Sequence, residues 1–317
     1  MSAVTRRVMI MAGGTGGDFF AGLALADVLR RRDIEVRWLG ARGGMEGRRV
    51  RQHGIDIDEV DISGVRGKGL AGWLSLPFRL FRAVRMSRAA MVRNDTGCAV
   101  SFGGYAAGPG GIAAWLRGIP LIVHEQNQVA GMTNRVLARL ARTVFQAFPG
   151  TFPPKMGALT CGNPVREAVI NIEAPDARFF QRRAQIRILI TGGSQGARSL
   201  NEVVPAALAL LPEADRPLVC HQAGSGNDVA VREAYETAGI QAEVHEFIEE
   251  ISDAYDWADL VICRAGALTV SELAAAGLGS ILIPFPHAVD DHQTRNASFL
   301  VNAGAAQLVQ ESELTAE

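Results

Sequence analysis

Residues 8–17 read Val-Met-Ile-Met-Ala-Gly-Gly-Thr-Gly-Gly, and residues 186–196 read Ile-Arg-Ile-Leu-Ile-Thr-Gly-Gly-Ser-Gln-Gly. In each stretch a short apolar run without strict alternation meets a cluster of glycines. Runs of that length with no polar face are how strands buried on both sides of a parallel sheet read. Glycine after such a strand lets backbone N–H groups approach an anion, and the helix that follows adds the positive end of its dipole. Neither cluster is GxGxxG and no GxxxxGK[ST] follows a strand, so a dinucleotide enzyme and a P-loop NTPase are both disfavoured.

Similar runs recur on either side. They are Ile34–Leu39, Ala99–Phe102, Leu121–Val123 and Val144–Ala147 in the first half, then Leu218–His221, Leu260–Cys263 and Ser280–Phe285 in the second. Helical patterns lie between them, as in Ala21–Arg32, Leu200–Leu211, Val229–Ala238 and Thr269–Ala276. This alternation predicts an α/β protein built from doubly wound parallel sheets. Because the strand, glycine loop and helix sequence restarts, it predicts two Rossmann-like domains in tandem, residues 1–164 and 165–317. Residues Glu173–Arg183 read as an exposed connection leading into the second domain.

The composition allows this. A chain of 317 residues, 48% hydrophobic and 21% charged, can bury two cores, and disordered, collagenous and coiled-coil classes are excluded. Four scattered cysteines (Cys98, Cys161, Cys220 and Cys263) form no CxxC, which argues against a disulfide framework or a zinc site and for a reducing compartment. No secretory leader or spanning segment is evident, so the sequence reads as that of a cytoplasmic protein. The net charge of −1 conceals an asymmetry, with residues 1–165 near +11 and residues 166–317 near −12. A basic half favours an anionic surface or a phosphorylated ligand.

Further segments carry chemistry. Gly103 to Gly111 follows the strand Ala99–Phe102 and reads either as a flexible loop or as a second phosphate-accepting loop, with a helix through Ala113–Leu116. Arg264 to Glu272 follows Leu260–Cys263; Gly266 allows a sharp turn, and Ala267, Leu268 and Thr269 open a helix with free N–H groups suited to a diphosphate. Glu272, one turn on, can reach a ribose diol or simply favour the helix dipole. Asp290, Asp291 and His292 invite a metal, but no second cluster is placed to converge on them. Sugar-hydroxyl recognition by Gln293 is the better reading. In residues 65–88, Leu70, Trp73, Leu74, Phe78 and Phe81 are interleaved with Arg79, Arg82 and other cations. Leu76, Leu80 and Ala83 share a helical face. The stripe is either core or a membrane-surface patch, with aromatics in the headgroup region and arginines on anionic lipid.

Taken together, these segments resemble the MurG family of UDP-N-acetylglucosamine transferases, which make lipid II from lipid I. The matching stretches are GGTGG at 13–17, SFGGYAAGPGG at 101–111, HEQNQVAGMTN at 124–134, GNPVR at 162–166, GGSQGARSLN at 192–201 and GALTVSELAAAG at 266–277. The resemblance implies a GT-B fold, an acceptor-binding first domain and a nucleotide-sugar-binding second domain facing it across a cleft. It implies that Thr15, Gly16, Gly17 and Asn127 line the sugar side, that Arg166 and Ser194 lie near the diphosphate, and that Ile248 meets the uracil through its backbone. By the same resemblance Ala267 to Thr269 hold the diphosphate, Glu272 the ribose and Gln293 the GlcNAc hydroxyls, with Val270 and Ser271 also among the UDP-GlcNAc contacts. Gly13, Gly14, Gly103, Gly104, Tyr105 and Gly108 cradle the acceptor's pyrophosphate, and the patch in residues 65–85 meets the cytoplasmic face of the membrane. No cofactor, protein-bound metal or nucleic-acid partner is implied.

Two features depart from the family. Members carry histidine after GGTGG, a candidate general base, whereas this chain has Asp18. A carboxylate there can accept a proton, although a helix N-terminus favours its ionised form and weakens it as a base. The family also leads one to expect a closing helix beyond residue 317 that crosses back to the first domain. The reading is an inverting GlcNAc transfer to the C4 hydroxyl of MurNAc in lipid I. The alternatives are a catalytically impaired UDP-GlcNAc-binding homologue and another GT-B enzyme such as a UDP-sugar epimerase.

Overall fold

The computed structural model describes residues 7–13, 16–44, 46–63, 69–180, 185–193 and 195–317, and of residues 16, 69–75 and 289 the backbone alone. The chain divides into two compact units, Met1–Pro164 and Val165–Glu317.

The first unit holds a parallel sheet of seven strands. They are β1 (Arg7–Ala12), β2 (Glu35–Ala41), β3 (Ile57–Val60), β4 (Cys98–Gly103), β5 (Leu121–Glu125), β6 (Thr143–Gln146) and β7 (Leu159–Thr160). Their order is β3-β2-β1-β4-β5-β6-β7, with β1 paired to β2 on one side and β4 on the other. The second unit holds β8 (Arg187–Thr191), β9 (Leu218–Gln222), β10 (Ala242–His245), β11 (Leu260–Cys263), β12 (Gly279–Leu282) and β13 (Ala306–Leu308). Their order, β10-β9-β8-β11-β12-β13, repeats the first. Both are doubly wound Rossmann-like sheets in which the chain reverses direction beside the first strand, the switch point where ligands bind in such folds.

Burial explains the apolar runs. Met9, Ile10, Met11, Leu39 and Val123 are inaccessible in the first sheet, as are Leu189, Ile190, Val261 and Cys263 in the second. The helix Gly16–Arg30 packs Phe19 beside Trp38 with ring centroids 5.7 Å apart, and the Trp38 indole N–H donates to Ala12 O at 3.0 Å. That bond satisfies the one polar atom of a large buried ring.

Three sequence expectations need correction. The strand expected over Ser280–Phe285 ends at Leu282, because Pro284 and Pro286 cannot donate to a ladder. The segment from Glu173 is not simply exposed: Pro175–Phe180 is helical, and its buried Arg178 donates to Ala276 O at 2.9 Å and Glu173 O at 3.2 Å. Residues 181–184 of that segment lie outside the described residues. Third, β3, β7, β10 and β13 were not expected, and all four are edge strands.

On β9 of the second sheet, His221 is fully buried. It accepts from the Tyr235 hydroxyl at Nδ1 (2.9 Å) and donates from Nε2 to Asn201 Oδ1 (3.1 Å). Burial pushes this imidazole down to about 4. Between that value and the ordinary value of about 6.5, the unfolded chain binds a proton that the folded chain refuses, so stability falls as pH falls through this window. Urea unfolding at pH 7.5 and pH 5 should differ by about 2 kcal/mol more in the native chain than in His221→Gln; equal pH dependence in the two would contradict the assignment.

Candidate active site

In the first unit the glycine loops lie against each other. A Cβ on Gly104 would fall 1.9 Å from Gly13 O, and Gly104 has φ 90°, so only glycine permits this approach. Asp18 sits in the first turn of helix Gly16–Arg30, and its Cγ is 3.9 Å from where a Cβ on Gly103 would be. The structure thus brings Asp18, Gly13, Gly103 and Gly104 together. Gly17 is in the same first turn, with Gly16 opening the helix, whereas Gly14 and Thr15 lie outside the described residues. The loop expected over 103–111 is shorter than that. Its helix begins at Ala107, so Gly108 belongs to a first turn where Pro109 is tolerated for want of a required N–H. Tyr105 is exposed beside it.

Behind these loops is a polar core that the sequence reading missed. Buried Glu125, the last residue of β5, accepts at Oε1 from Asn127 N (3.0 Å) and Asn127 Nδ2 (3.3 Å). At Oε2 it accepts from Gly131 N (3.1 Å) and Asn134 Nδ2 (2.9 Å). The Asn134 side-chain Oδ1 takes the Ser101 hydroxyl at 3.0 Å, and Ser101 Oγ takes Gly103 N at 3.3 Å. One carboxylate therefore fixes Asn127 and, through Asn134 and Ser101, the start of the Gly103 loop. His124 beside it donates to Gly162 O at 2.9 Å and accepts from Gln126 at 3.1 Å, and burial holds its imidazole below the ordinary range. The visible signal was His124-Glu125-Gln126 directly after apolar Val123: polar residues closing a buried strand need partners.

The second unit also has a close backbone approach, between the loops after β8 and β9. A Cβ on Gly196 would lie 2.0 Å from Ala223 O, and φ there is 75°. Buried Gln222, at the end of β9, donates to Gly193 O (2.9 Å) and accepts from Ile248 N (2.9 Å). The glycine loop and Ile248 thus share one amide anchor. The Ile248 N–H is committed to that anchor, so its carbonyl is what remains for a base. Ser194 lies outside the described residues.

Helix Ala267–Ala276 starts behind Gly266, an N-cap with extended backbone (φ −63°, ψ 144°) and no side chain to cap the first turn. The helix opens at Ala267, as the turn at Gly266 led one to expect. Ala267, Leu268 and Thr269 form the first turn. Val270 is fully buried with its N–H on Gly266 O (2.9 Å), and the Ser271 hydroxyl donates back to Ala267 O (2.9 Å). Glu272 is buried, and its Oε1 receives Arg166 Nε (3.1 Å) and Nη2 (2.8 Å). Two residues expected to touch different parts of a nucleotide are therefore paired with each other. Gln293 accepts from Phe285 N at 2.8 Å, leaving its amide N–H₂ as the group to offer a sugar. Arg264 staples the chain beneath, donating to Ile283 O and Pro284 O (both 3.2 Å) and pairing with Glu311.

The basic stripe lies on one long helix, Gly69–Arg93. Ala83 is buried and Leu76 and Leu80 are half-buried, whereas Phe78 and Phe81 are 72% and 61% exposed. Arg82 pairs with Asp61 at 2.8 Å, and Arg79 reaches Ser63 O at 3.4 Å. The side chains of Leu70, Trp73 and Leu74 lie outside the described residues. Among the described residues no helix is long and apolar enough to cross a membrane, and no group of three or more His, Cys, Asp or Glu could hold a metal ion.

Comparison with known proteins bears on this geometry. Residues 8–146 match the glycosyltransferase family 28 N-terminal domain, and residues 187–317 match its C-terminal domain. A relative from Marinobacter nauticus is 54% identical over 312 residues, spanning 98% of this chain and 86% of its own length. It is named UDP-N-acetylglucosamine--N-acetylmuramyl-(pentapeptide) pyrophosphoryl-undecaprenol N-acetylglucosamine transferase. The chain belongs to the MurG family. A crystal structure of MurG from Acinetobacter baumannii superposes with a TM-score of 0.85 at 42% identity, covering 98% of this chain and 88% of that one. A UDP-GlcNAc 2-epimerase from Neisseria meningitidis gives a TM-score of 0.62 at 13% identity, covering 96% and 87%, and at that distance shares the fold alone. The MurG-family assignment accounts for the two Rossmann-like units, the components of a GT-B fold.

Glu125 is the test of the first unit's polar core. In Glu125→Gln one oxygen that accepts two N–H groups becomes an amide donor facing them, so at least two buried donors lose their partner. Stability of the first unit should drop by about 2–4 kcal/mol. Amide exchange should accelerate at residues 127–134 before it does elsewhere in the sheet; unchanged protection there would contradict the role given to this carboxylate.

Proposed function

We propose that this chain is an inverting glycosyltransferase that moves GlcNAc from UDP-GlcNAc to the C4 hydroxyl of MurNAc in lipid I, giving lipid II. The observation that carries the reading is the 54% identity to a transferase of that name across 98% of the chain. The donor belongs to the second unit. There the first-turn amides at Ala267–Thr269 face the diphosphate, the Ile248 carbonyl accepts from the uracil, Glu272 takes the ribose diol and Gln293 a GlcNAc hydroxyl. The Gly193 loop with Ser194, together with Arg166 once it leaves Glu272, completes the diphosphate site. The acceptor belongs to the first unit, with its pyrophosphate against the loops at 13–17 and 103–111; Thr15, Gly16, Gly17 and Asn127 are read with the UDP-GlcNAc contacts.

The C4 oxygen attacks the anomeric carbon as the bond to the UDP oxygen breaks, and the hydroxyl proton passes to a base. The transition state has oxocarbenium character, and negative charge grows on the departing diphosphate. Fixed amide dipoles at a helix N-terminus stabilise that charge without reorganising at the moment of reaction. Asp18 is the carboxylate held closest to Gly103 at the mouth of the first unit, and it is the base in this scheme.

Exposed Phe78 and Phe81 beside Arg79 and Arg82 suit a helix lying on an anionic bilayer and support the reading of a peripheral protein at the cytoplasmic face of the membrane. No protein-bound metal is part of the scheme.

The test is UDP release from UDP-GlcNAc with and without a lipid I analogue, in the presence of a chelator. UDP should form only with the acceptor and persist under the chelator. Asp18→Asn should lower kcat by about 10²-fold with little change in KM for the donor. Conversion of UDP-GlcNAc without acceptor would make the chain an epimerase. Tight UDP-GlcNAc binding with no UDP released would make it a binding homologue. Undiminished turnover in Asp18→Asn would remove that residue from the base role.

A further inference from the structure

Tyr255 lies in helix Ile251–Trp257 and is 2% exposed. Its hydroxyl donates to Glu272 Oε2 at 3.2 Å. The other carboxylate oxygen, Oε1, receives both Arg166 donors, and the Arg166 side chain is half exposed while that of Glu272 is 11% exposed. The carboxylate therefore has an inner oxygen held by a buried phenol and an outer oxygen turned toward a group that solvent reaches. Burial and the neighbouring Glu272 push the phenol well above its ordinary range, so the hydroxyl keeps its proton and acts as a donor.

A phenylalanine would fill the same space in the core. The hydroxyl adds a polar atom whose burial is unfavourable unless it is bonded, and the partner it has is the carboxylate. A glutamate side chain has three rotatable torsions. Anchoring one oxygen fixes the direction of the other, which is how supporting residues fix a binding group. The outer oxygen already accepts two N–H groups from one planar cation, and a vicinal diol presents two O–H donors to the same place.

We infer that Tyr255 is a positioning residue for the nucleotide donor, holding Glu272 by its inner oxygen so that the outer oxygen meets the ribose diol. The inference rests on the reading of Glu272 as the ribose residue. It has a consequence for Arg166: the arriving diol displaces the guanidinium from Glu272 and frees it for the diphosphate. Tyr255 keeps the carboxylate in register through that exchange. It touches neither substrate nor reacting atoms.

The experiment uses the full chain and the variants Tyr255→Phe, Glu272→Gln and the double variant. The readouts are kinetics with UDP-GlcNAc and the affinities of UDP and 2′,3′-dideoxy-UDP, the probe that lacks the diol. Tyr255→Phe should raise KM for UDP-GlcNAc about tenfold and change kcat less than twofold, the size expected for one buried bond to a charged group. Its preference for UDP over the dideoxy probe should shrink by the same factor. The double variant should be no worse than Glu272→Gln, because the phenol acts through the carboxylate. Loss of preference in Glu272→Gln with full preference kept in Tyr255→Phe would overturn the inference and leave the ribose reading standing. Full preference in both variants would overturn the ribose reading itself. Because the preference is a ratio measured on one preparation, a loss of folded protein in either variant does not alter it.

Discussion

Every strand in each sheet is parallel to its neighbours, so every carboxyl end lies along one edge, and the chain must leave that edge by loops. What those loops can do is set by how closely one backbone approaches another. In the first unit Gly104 lies against Gly13, and in the second Gly196 lies against Ala223, both at distances that leave no room for a Cβ. In the first unit this contact lies at the switch point between β1 and β4, and in the second it joins the loops after β8 and β9. A surface of N–H groups at a helix N-terminus is suited to phosphate, and a glycine-lined backbone approach in each unit suits a reaction whose two substrates both carry pyrophosphate.

Backbone alone does not hold such loops in place. In each unit a buried polar side chain at the end of a central strand ties two loops together. Glu125 does this for residues 127–134 and, through Asn134 and Ser101, for Gly103. Gln222 does it for Gly193 and Ile248. These groups sit where an unsatisfied atom is most unfavourable, and each is matched to donors or acceptors from neighbouring segments. The pair formed by Arg166 and Glu272 is of a different kind. It links a half-exposed cation to a nearly buried anion, and it occupies groups that the transferase scheme assigns to the donor.

The sequence made some of this legible and not the rest, for physical reasons. The central strands were visible because burial on both faces demands unbroken apolar runs such as Val8–Ala12 and Leu260–Cys263. The edge strands Ile57–Val60, Leu159–Thr160, Ala242–His245 and Ala306–Leu308 are short and carry polar residues such as Asp58, Glu243 and Gln307, which an edge tolerates. Among the site residues, glycine loops and helix starts could be read because their chemistry is local to a few consecutive positions. The partnership of Glu272 with Tyr255 and Arg166 joins segments 17 and 106 residues apart in sequence, and no local pattern encodes it. Nor did the residue types reveal that Val270 faces the core or that Ser271 bonds back into its own helix. Those facts follow from where each residue falls around the helix that begins at Ala267.

The central claim is that peptide dipoles of the second unit, at the N-terminus of helix Ala267–Ala276, grip the diphosphate of the nucleotide sugar. Amide chemical shifts of the ¹⁵N-labelled chain during titration with UDP test it most directly. The account predicts saturable shifts at Ala267, Leu268 and Thr269, together with Gly193 and Ile248, while residues 103–108 stay in place. Shifts confined to the Gly13 and Gly104 loops of the first unit, with the Ala267 turn unmoved, would contradict it.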